Sequence, residues 1–438
     1  MKAEDKLNWL RNRRSGRNRS QVIEETWKKI GRDEDLSVKE KLERLVTLTR
    51  KDGGKAVRPR ESAPLAAGRE PLRVIENPYR LETSYGKIPL ALSLQVPGEI
   101  LSFLSRDPEF GGLDLSTSVM IDLETTGLSG GTGTVPFLVG LGYFRDGGFK
   151  VRQYFLGDIG EEGRMIRELG EFFGDMGFRS VVSYNGKAFD LPILETRFAL
   201  QRTSCRLNGL PHLDFLISAR QLWKHKYENC RLCHLAREIV QAGRDEDIPS
   251  AEIPGRYFQY LRTGDSSLIE PIIYHNEEDI LSLLGLLVAG AVLVSRAGED
   301  GAEDADAMDV FGVARMLGRA GEKGRSAQLL EKALAGRLSP DVSLLARKYL
   351  SNHFKKMRSW DKALPLWQEA VAADDISGFR ELSMHFEHRE KNYEDALRIA
   401  EEGWALAIEK GSEAWRRDFE RRVARIRGKM KKAGKPGR

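Results

Sequence analysis

Val-Met-Ile-Asp-Leu-Glu-Thr-Thr-Gly, residues 119–127, places Asp122 and Glu124 two residues apart in a largely apolar run. Residues two apart on a β-strand point to the same face of the sheet. The alternation therefore predicts a strand that presents both carboxylates on one face, while Ile121 and Leu123 pack into the interior behind them. Such a strand would serve as a rigid support for a pair of acids.

Two later segments add further carboxylates. Residues 185–190 read Asn-Gly-Lys-Ala-Phe-Asp, so Asp190 follows a tight turn and is expected near a helix start, where the helix dipole favours a charged carboxylate. Residues 274–279 read Tyr-His-Asn-Glu-Glu-Asp, which puts His275 and Asp279 four residues apart, on one face of a helix.

Together the segments supply an all-oxygen ligand set, which suits a hard cation such as Mg²⁺ or Mn²⁺. Acids on hydrophobic elements are costly unless a cation compensates them. We therefore predict a metal site formed by Asp122, Glu124, Asp190 and Asp279.

The three segments, in this order, resemble the three motifs of the DEDD 3'-to-5' exonucleases of the ribonuclease H-like fold. The runs 122–142 and 183–187, with His275 and Asn276, resemble more closely the bacterial YprB-type ribonuclease H-like proteins, over roughly residues 74–294. This resemblance implies an α/β domain with a mixed five-stranded sheet flanked by helices, which helical repeats follow in many such proteins. It also implies two-metal-ion hydrolysis of phosphodiester bonds at single-stranded DNA or RNA ends.

The third motif departs from the family pattern. His275 stands at the spacing that the tyrosine subclass uses, and Tyr274 stands at the spacing of the histidine subclass. We favour His275 as the general base, because it faces the same way as Asp279 and its imidazole can orient or deprotonate water near neutral pH. Tyr274 is the second candidate. Substrate contacts are expected from Thr125, Asn185, Lys187 and Tyr274.

Two other functions compete with the exonuclease. The same acids could serve a structure-specific endonuclease, or the chain could be a non-catalytic scaffold or adapter that binds protein through its repeats. Retention of all four acids argues against the scaffold. Asp214, on an apolar segment, is interpreted as a polar end-of-strand residue, with a supporting role behind the metal ligands as the alternative. The glycine-rich residues 129–133 are read either as an approach for the terminal nucleotide or as a plain loop.

Similar short sequence segments recur after the acidic residues of 297–307, and they predict a helical region. Ala327, Ala363 and Ala396 lie in similar contexts, spaced near the ~34-residue period of tetratricopeptide repeats. Such helix pairs form either a platform for a partner or substrate, or a cap on the nuclease. The predicted division is a basic helical N-terminal segment (1–51), a flexible linker (52–71), a lead-in segment (72–116), the exonuclease domain (117–296), an acidic linker (297–307), tetratricopeptide-like repeats (308–411), and a basic C-terminal helix and tail (412–438).

Within the domain, the patterns predict strands at 118–123 and 181–184, a hairpin of 136–144 with 149–155, and a helix at 165–173. Local β structure is expected at 79–86. The most apolar run, 280–294, is short for a bilayer span, so we predict a buried helix and no membrane contact.

Charge and cysteine content add weaker constraints. The formal net charge of +5 is small beside the total number of charged residues. Both ends of the chain are basic, however, and basic segments suit phosphate backbones. No secretory signal is visible, and three cysteines fit a reduced, cytoplasmic chain. Cys230-Arg-Leu-Cys233-His234 satisfies a haem-attachment pattern, but its core-like helical context argues against haem. Zinc is conceivable with Cys205, His225 and His234, although the spacings match no standard closed site.

Overall fold

The computed structural model describes residues 70–127, 132–242, 248–297 and 305–433. Most of the predictions for 1–51 and 52–71, for the glycine-rich loop and for the acidic linker lie outside these residues, as does the end of the basic tail. The chain divides into two compact units, with the boundary between Glu303 and Asp304. We call them the sheet unit and the helical unit.

The sheet unit is built on a six-stranded mixed sheet with the strand order β1-β6-β5-β4-β7-β8. Strands β1, β6, β5 and β4 pair antiparallel, whereas β7 and β8 run parallel to β4. A separate two-stranded ribbon joins β2 and β3. The bounds are β1 Leu72–Arg80, β2 Ser84–Tyr85, β3 Ile88–Pro89, β4 Ser118–Thr125, β5 Pro136–Arg145, β6 Gly148–Leu156, β7 Ser180–Ser183 and β8 His212–Asp214.

The predicted mixed sheet flanked by helices is confirmed, and it has one strand more than the five expected. Strand β1 pairs with β6 along its whole length, from Leu72 opposite Leu156 to Arg80 opposite Gly148. This strand is difficult to predict from the sequence, because it contains Pro78 and many polar residues. Both features are typical of an edge strand, whose outer side needs no pairing partner.

The hairpin of β5 and β6 is confirmed within a residue or two of its predicted ends. Asp146 and Gly147 connect the strands with φ values of 53° and 71°. Two consecutive left-handed residues are what a tight two-residue hairpin requires, and glycine adopts this conformation without strain.

Seven α-helices accompany the strands of the sheet unit within its described residues. They are α1 Gly98–Ser105, α2 Glu162–Met176, α3 Asp190–Leu200, α4 Phe215–Trp223, α5 Leu232–Leu235, α6 Ile253–Thr263 and α7 Glu270–Ala297. Helix α5 continues into a π-helical turn, Ala236–Val240. The core packs α2 and α3 against strands, with Ile121, Phe137, Leu169 and Phe198 among its fully enclosed side chains.

Helix α7 confirms the buried helix predicted for 280–294. Most of its side chains are buried, including Ile280, Leu284 and Val294. The stretch Ser266–Ala297 is long and apolar enough to cross a membrane, but 67% of its most apolar window is buried within the protein. A helix in the core of a folded unit has the same composition, so length and hydropathy are weak evidence for a membrane span.

The helical unit contains seven α-helices in its described residues, and successive helices pack on one another. They are α8 Ala307–Ala320, α9 Lys323–Ala335, α10 Pro340–Lys356, α11 Trp360–Ala372, α12 Ile376–His385, α13 Tyr393–Glu409 and α14 Glu413–Ala433. The alanines of the recurring segments, Ala327, Ala363 and Ala396, are all buried. An all-α second unit is therefore confirmed, while its assignment to the tetratricopeptide class stays a prediction.

Candidate active site

Strand β4 and helix α7 meet through Asp122 and Asn276. The Asn276 side-chain amide donates to the Asp122 carboxylate Oδ2 at 2.7 Å and to the Asp122 main-chain oxygen at 3.1 Å. Gln153 Nε2 in turn donates to Asn276 Oδ1 at 2.8 Å. Because this bond occupies the amide oxygen, it fixes which end of Asn276 faces Asp122. The Asp122 carboxylate is thereby held in one orientation.

Gly140 makes this contact sterically feasible. It lies directly opposite Asp122 in the β4–β5 pairing. A Cβ atom at this position would stand 2.2 Å from Asn276 Oδ1, which is far inside van der Waals contact. Only glycine lets helix α7 approach the strand closely enough for Asn276 to reach Asp122.

His275 lies between the acids of the first and third motifs. Its Nε2 is 3.5 Å from Glu124 Oε1 and 3.4 Å from Asp279 Oδ2. The imidazole is buried, with 7% of its side chain exposed, and the two carboxylates are 14% and 15% exposed. The predicted i, i+4 relation of His275 and Asp279 is thus present, and α7 turns both residues toward the end of β4.

Asp190 brings the second motif to the same strand. It is the first residue of helix α3, and its Oδ1 accepts a hydrogen bond from the main-chain nitrogen of Leu123 at 3.1 Å. Leu123 stands between Asp122 and Glu124. Burial raises the pKa of Asp190 to about 7, against the lowering effect of its backbone hydrogen bonds, and the charge of Asp214 raises it further. A bound cation would favour the charged form of this carboxyl group.

The turn before Asp190 is held by Asp214, the last residue of β8. Its carboxylate accepts from the main-chain nitrogens of Asn185 at 2.8 Å and Lys187 at 3.2 Å, and it also caps helix α4. Asn185 has a φ of 72°, and a Cβ on Gly186 would lie 2.5 Å from Ser183 Oγ. Asp214 does end a strand, as predicted, and it additionally shapes the second motif.

His212 stands in no motif that would mark it as a functional residue. Its Nε2 is 2.7 Å from Ser183 Oγ, and Ser183 Oγ accepts from the main-chain nitrogen of Gly186. Burial lowers the pKa of His212 to about 4, with help from the charge of Lys187. The imidazole is therefore neutral near pH 7 and belongs to the support of the turn.

Two further acids of α7, Glu277 and Glu278, are almost fully buried and were also missed. Glu277 accepts from the Tyr79 hydroxyl at 2.5 Å and from the Asn77 amide at 2.6 Å, and burial raises its pKa. Glu278 accepts from Tyr85 at 2.6 Å. These bonds tie β1 and β2 to the helix that carries His275 and Asp279, so the lead-in segment supports the site.

The remaining predicted residues differ in position. The Thr125 hydroxyl donates to the Gly127 main-chain oxygen at 2.8 Å, Lys187 is exposed, and Tyr274 is half-buried. Their contacts with substrate stay predictions. Cys230 and Cys233 are half-buried, and the main-chain oxygen of Cys230 accepts from Tyr184.

As the side chains stand, no group of three or more His, Cys, Asp or Glu among the described residues is arranged to hold a metal ion. This finding gives no support to zinc at the cysteines. At the acidic centre the donor chemistry fits a hard cation, because carboxylates from three elements meet around the end of β4.

Comparisons with known proteins identify the superfamily of this region. The profile of the RNase_H superfamily matches residues 119–289, a range that contains all four acids. The uncharacterized protein YprB of Bacillus subtilis (strain 168) is 31% identical over 308 residues, which cover 69% of this chain and 72% of that protein.

Among solved structures, the family B DNA polymerase of the hyperthermophilic archaeon Pyrobaculum calidifontis aligns with a TM-score of 0.34 and 16% identity. The alignment covers 53% of this chain and 29% of the polymerase chain. A likeness at this level carries no information on substrate.

Proposed function

We propose, from the premise that this chain belongs to the ribonuclease H superfamily and to its YprB-type members, that it is a metal-dependent 3'-to-5' exonuclease of single-stranded DNA or RNA. Ribonuclease H-like nucleases generally use divalent metal ions. The proposed pair here is Mg²⁺ or Mn²⁺.

The observation that carries the proposal is the meeting of three separate chain segments at the end of β4. Asp190 accepts from Leu123 between Asp122 and Glu124, while Asn276 binds Asp122 and His275 lies within 3.5 Å of Glu124. Structural acids normally find a cation or several donors in the protein. Carboxylates gathered from three elements around one point are instead typical of a site that takes cations from solution.

Each residue has a role in this proposal. Asp122, Glu124, Asp190 and Asp279 would hold the ions, and Asn276 keeps the Asp122 carboxylate in place. Two bound ions would supply an activated water and charge stabilisation at the leaving 3' oxygen. His275 would orient the water and accept its proton, because its imidazole is buried within 3.5 Å of Glu124 and 3.4 Å of Asp279. Lys187 is exposed at the turn before Asp190, where it can contact phosphate.

The test is hydrolysis of end-labelled single-stranded DNA and RNA by the purified protein, with Mn²⁺ and with EDTA. We expect a ladder of products that shortens from the 3' end and that requires the metal. Asp122→Asn should abolish the ladder. Asp146→Asn, which changes an exposed acid in the β5–β6 turn, should leave it unchanged. Internal cuts on branched substrates alone would replace the exonuclease by an endonuclease, and no cleavage of any substrate would contradict the proposal.

A further inference from the structure

The helical unit contains a cavity of about 480 Å³ that the acidic centre does not account for. Three helices line it, each with residues spaced three, four or seven apart, which places them on one helix face. Its positively charged residues are Arg315, Arg319, Lys323 and Lys356, with His353 beside them. No aspartate or glutamate is among the lining residues that the structure describes. The volume lies within the usual range of about 300–1,000 Å³ for ligand pockets.

The side chain of Arg315 is buried in the wall of this cavity. It is 9% exposed, and its guanidinium carbon lies 5.7 Å from the centre of the Phe311 ring. Burial lowers the pKa of Arg315, and the neighbouring charge of Arg319 lowers it further. A hydrogen bond with Tyr349 acts in the opposite direction. Two guanidinium groups that repel each other beside a partly enclosed space would be stabilised by an anion.

Tyr349 gives the cavity an aromatic surface. Its ring is stacked near that of Phe311, with centroids 6.5 Å apart and an angle of 25° between the planes. The residue is nevertheless 40% exposed. Gly318 lets the first two lining helices approach, because a Cβ there would stand 2.9 Å from Ser326 Oγ. An exposed aromatic ring in a cavity lined by cations can stack with a base while the cations bind the adjoining phosphates.

We propose that this cavity binds a nucleotide segment of single-stranded DNA or RNA, with its phosphates on Arg315, Arg319 and Lys323 and a base on Tyr349. The inference rests on the proposed function for its choice of nucleic acid. It adds a second binding site, formed by residues of the helical unit that take no part in the proposed cleavage. An acidic peptide would use the same cations, but it has no group that stacks on the tyrosine ring, so nucleic acid fits the lining better.

The test measures affinity without hydrolysis. Fluorescence anisotropy of the full chain with labelled ten-nucleotide single-stranded DNA and RNA, in EDTA, should give binding that weakens about tenfold or more in the double variant R319E/K323E. The matched control R337E/K431E reverses two other positive charges on exposed residues of the helical unit and should change affinity by less than about twofold. If both variants lose the same affinity, the effect comes from the overall charge of the protein and the proposal is overturned.

The ring is tested separately, with circular dichroism to verify folding. Tyr349→Leu should weaken binding about tenfold, whereas Tyr349→Phe, which retains the ring, should stay within about threefold of the wild type. A labelled hexaglutamate peptide is the competing probe. If R319E/K323E weakens hexaglutamate binding and leaves oligonucleotide binding unchanged, the cavity is a peptide site.

Failure here is distinguishable from failure of the proposed function. Cleavage of a dinucleotide with Mn²⁺ tests the acidic centre, because R319E/K323E changes no residue of that centre. R319E/K323E should therefore cleave it at the wild-type rate. A protein that binds oligonucleotides through the cavity but cleaves nothing would retain this inference and lose the nuclease.

Discussion

The pKa values of two carboxyl groups that burial affects, Asp190 in the sheet unit and Glu387 in the helical unit, are shifted in opposite directions. Burial alone would raise the pKa of Glu387, but hydrogen bonds from Arg425 and Lys429 outweigh it and lower the pKa to about 2. Burial raises the pKa of Asp190 to about 7, and no lysine or arginine contributes to that value. At Glu387 the protein pairs the buried acid with cations, whereas none is among the groups that shift the pKa of Asp190.

The difference suggests why the acids around β4 are present at all. A buried carboxylate without a cation costs stability, and the hydrogen bond from Leu123 offsets only part of that cost. A site of this kind is retained when it has a function, here the binding of metal ions from solution. The four predictions below test this contrast, beginning with the largest expected effect.

The largest effect is expected from Asp190→Asn. The neutral amide is a much weaker ligand for Mg²⁺ or Mn²⁺ than a charged carboxylate, so hydrolysis should fall by about a thousandfold or more. The free energy of unfolding should be unchanged or higher, because a buried acid has been neutralised. Rates with Mn²⁺ and urea unfolding of the same preparation measure both quantities. A variant that stays active would remove Asp190 from the site.

Glu387→Gln should show the reverse pattern. Removing the charge leaves Arg425 and Lys429 facing a neutral group, at a cost of about 3 kcal/mol in unfolding free energy near pH 7, while hydrolysis is unchanged. Because the pKa is lowered in the folded state, this contribution is present above about pH 4.5 and is lost as the pH falls toward 2.

The control for that variant is Glu401→Gln. Glu401 pairs with Arg427 on the surface, and both side chains are exposed. Exposed pairs contribute about 1 kcal/mol or less. If urea unfolding gives equal losses for the two variants, burial does not distinguish the Glu387 pair.

The third prediction concerns the general base. His275→Ala should lower turnover about a hundredfold with little change in metal affinity, because the variant keeps the four acids and loses only the base. Tyr274→Phe should be mild, since adjacent helical residues point about 100° apart. If Tyr274→Phe nearly abolishes activity and His275→Ala is tolerated, the tyrosine rather than the histidine orients the attacking water.

The smallest effect is a pH dependence in the sheet unit. His212 has its pKa lowered to about 4 in the folded state, so the unfolded chain binds more protons between about pH 6.5 and 4. Stability should therefore fall as the pH is lowered, with His212 contributing about 2 kcal/mol to the loss between pH 7 and pH 5. Urea unfolding of His212→Gln should show a loss smaller by that amount. An identical pH dependence in wild type and variant would show that His212 is not held neutral.

The sequence predicted the elements that carry the acids because their patterns are local. Strand β4, the start of α3 and the buried helix α7 each follow from spacing within a few residues. The spacing also placed His275 beside Asp279 on one helix face.

What the sequence could not predict depends on contacts between distant segments. The bond of Tyr79 to Glu277 joins residues 198 positions apart, and the one from Asn276 to Asp122 spans 154. No local pattern distinguishes Glu277, which is buried, from an acid that faces solvent. Likewise β1 lacks the alternation of a half-buried strand, and its place follows only from pairing with β6.

The central claim is that the acids of three segments form one metal centre. Anomalous diffraction from crystals soaked in MnCl₂ tests it most directly. We expect two peaks about 4 Å apart, bound by Asp122, Glu124, Asp190 and Asp279, and loss of at least one peak in Asp190→Asn. Manganese bound elsewhere, or no peak beside β4 at millimolar concentration, would contradict the claim.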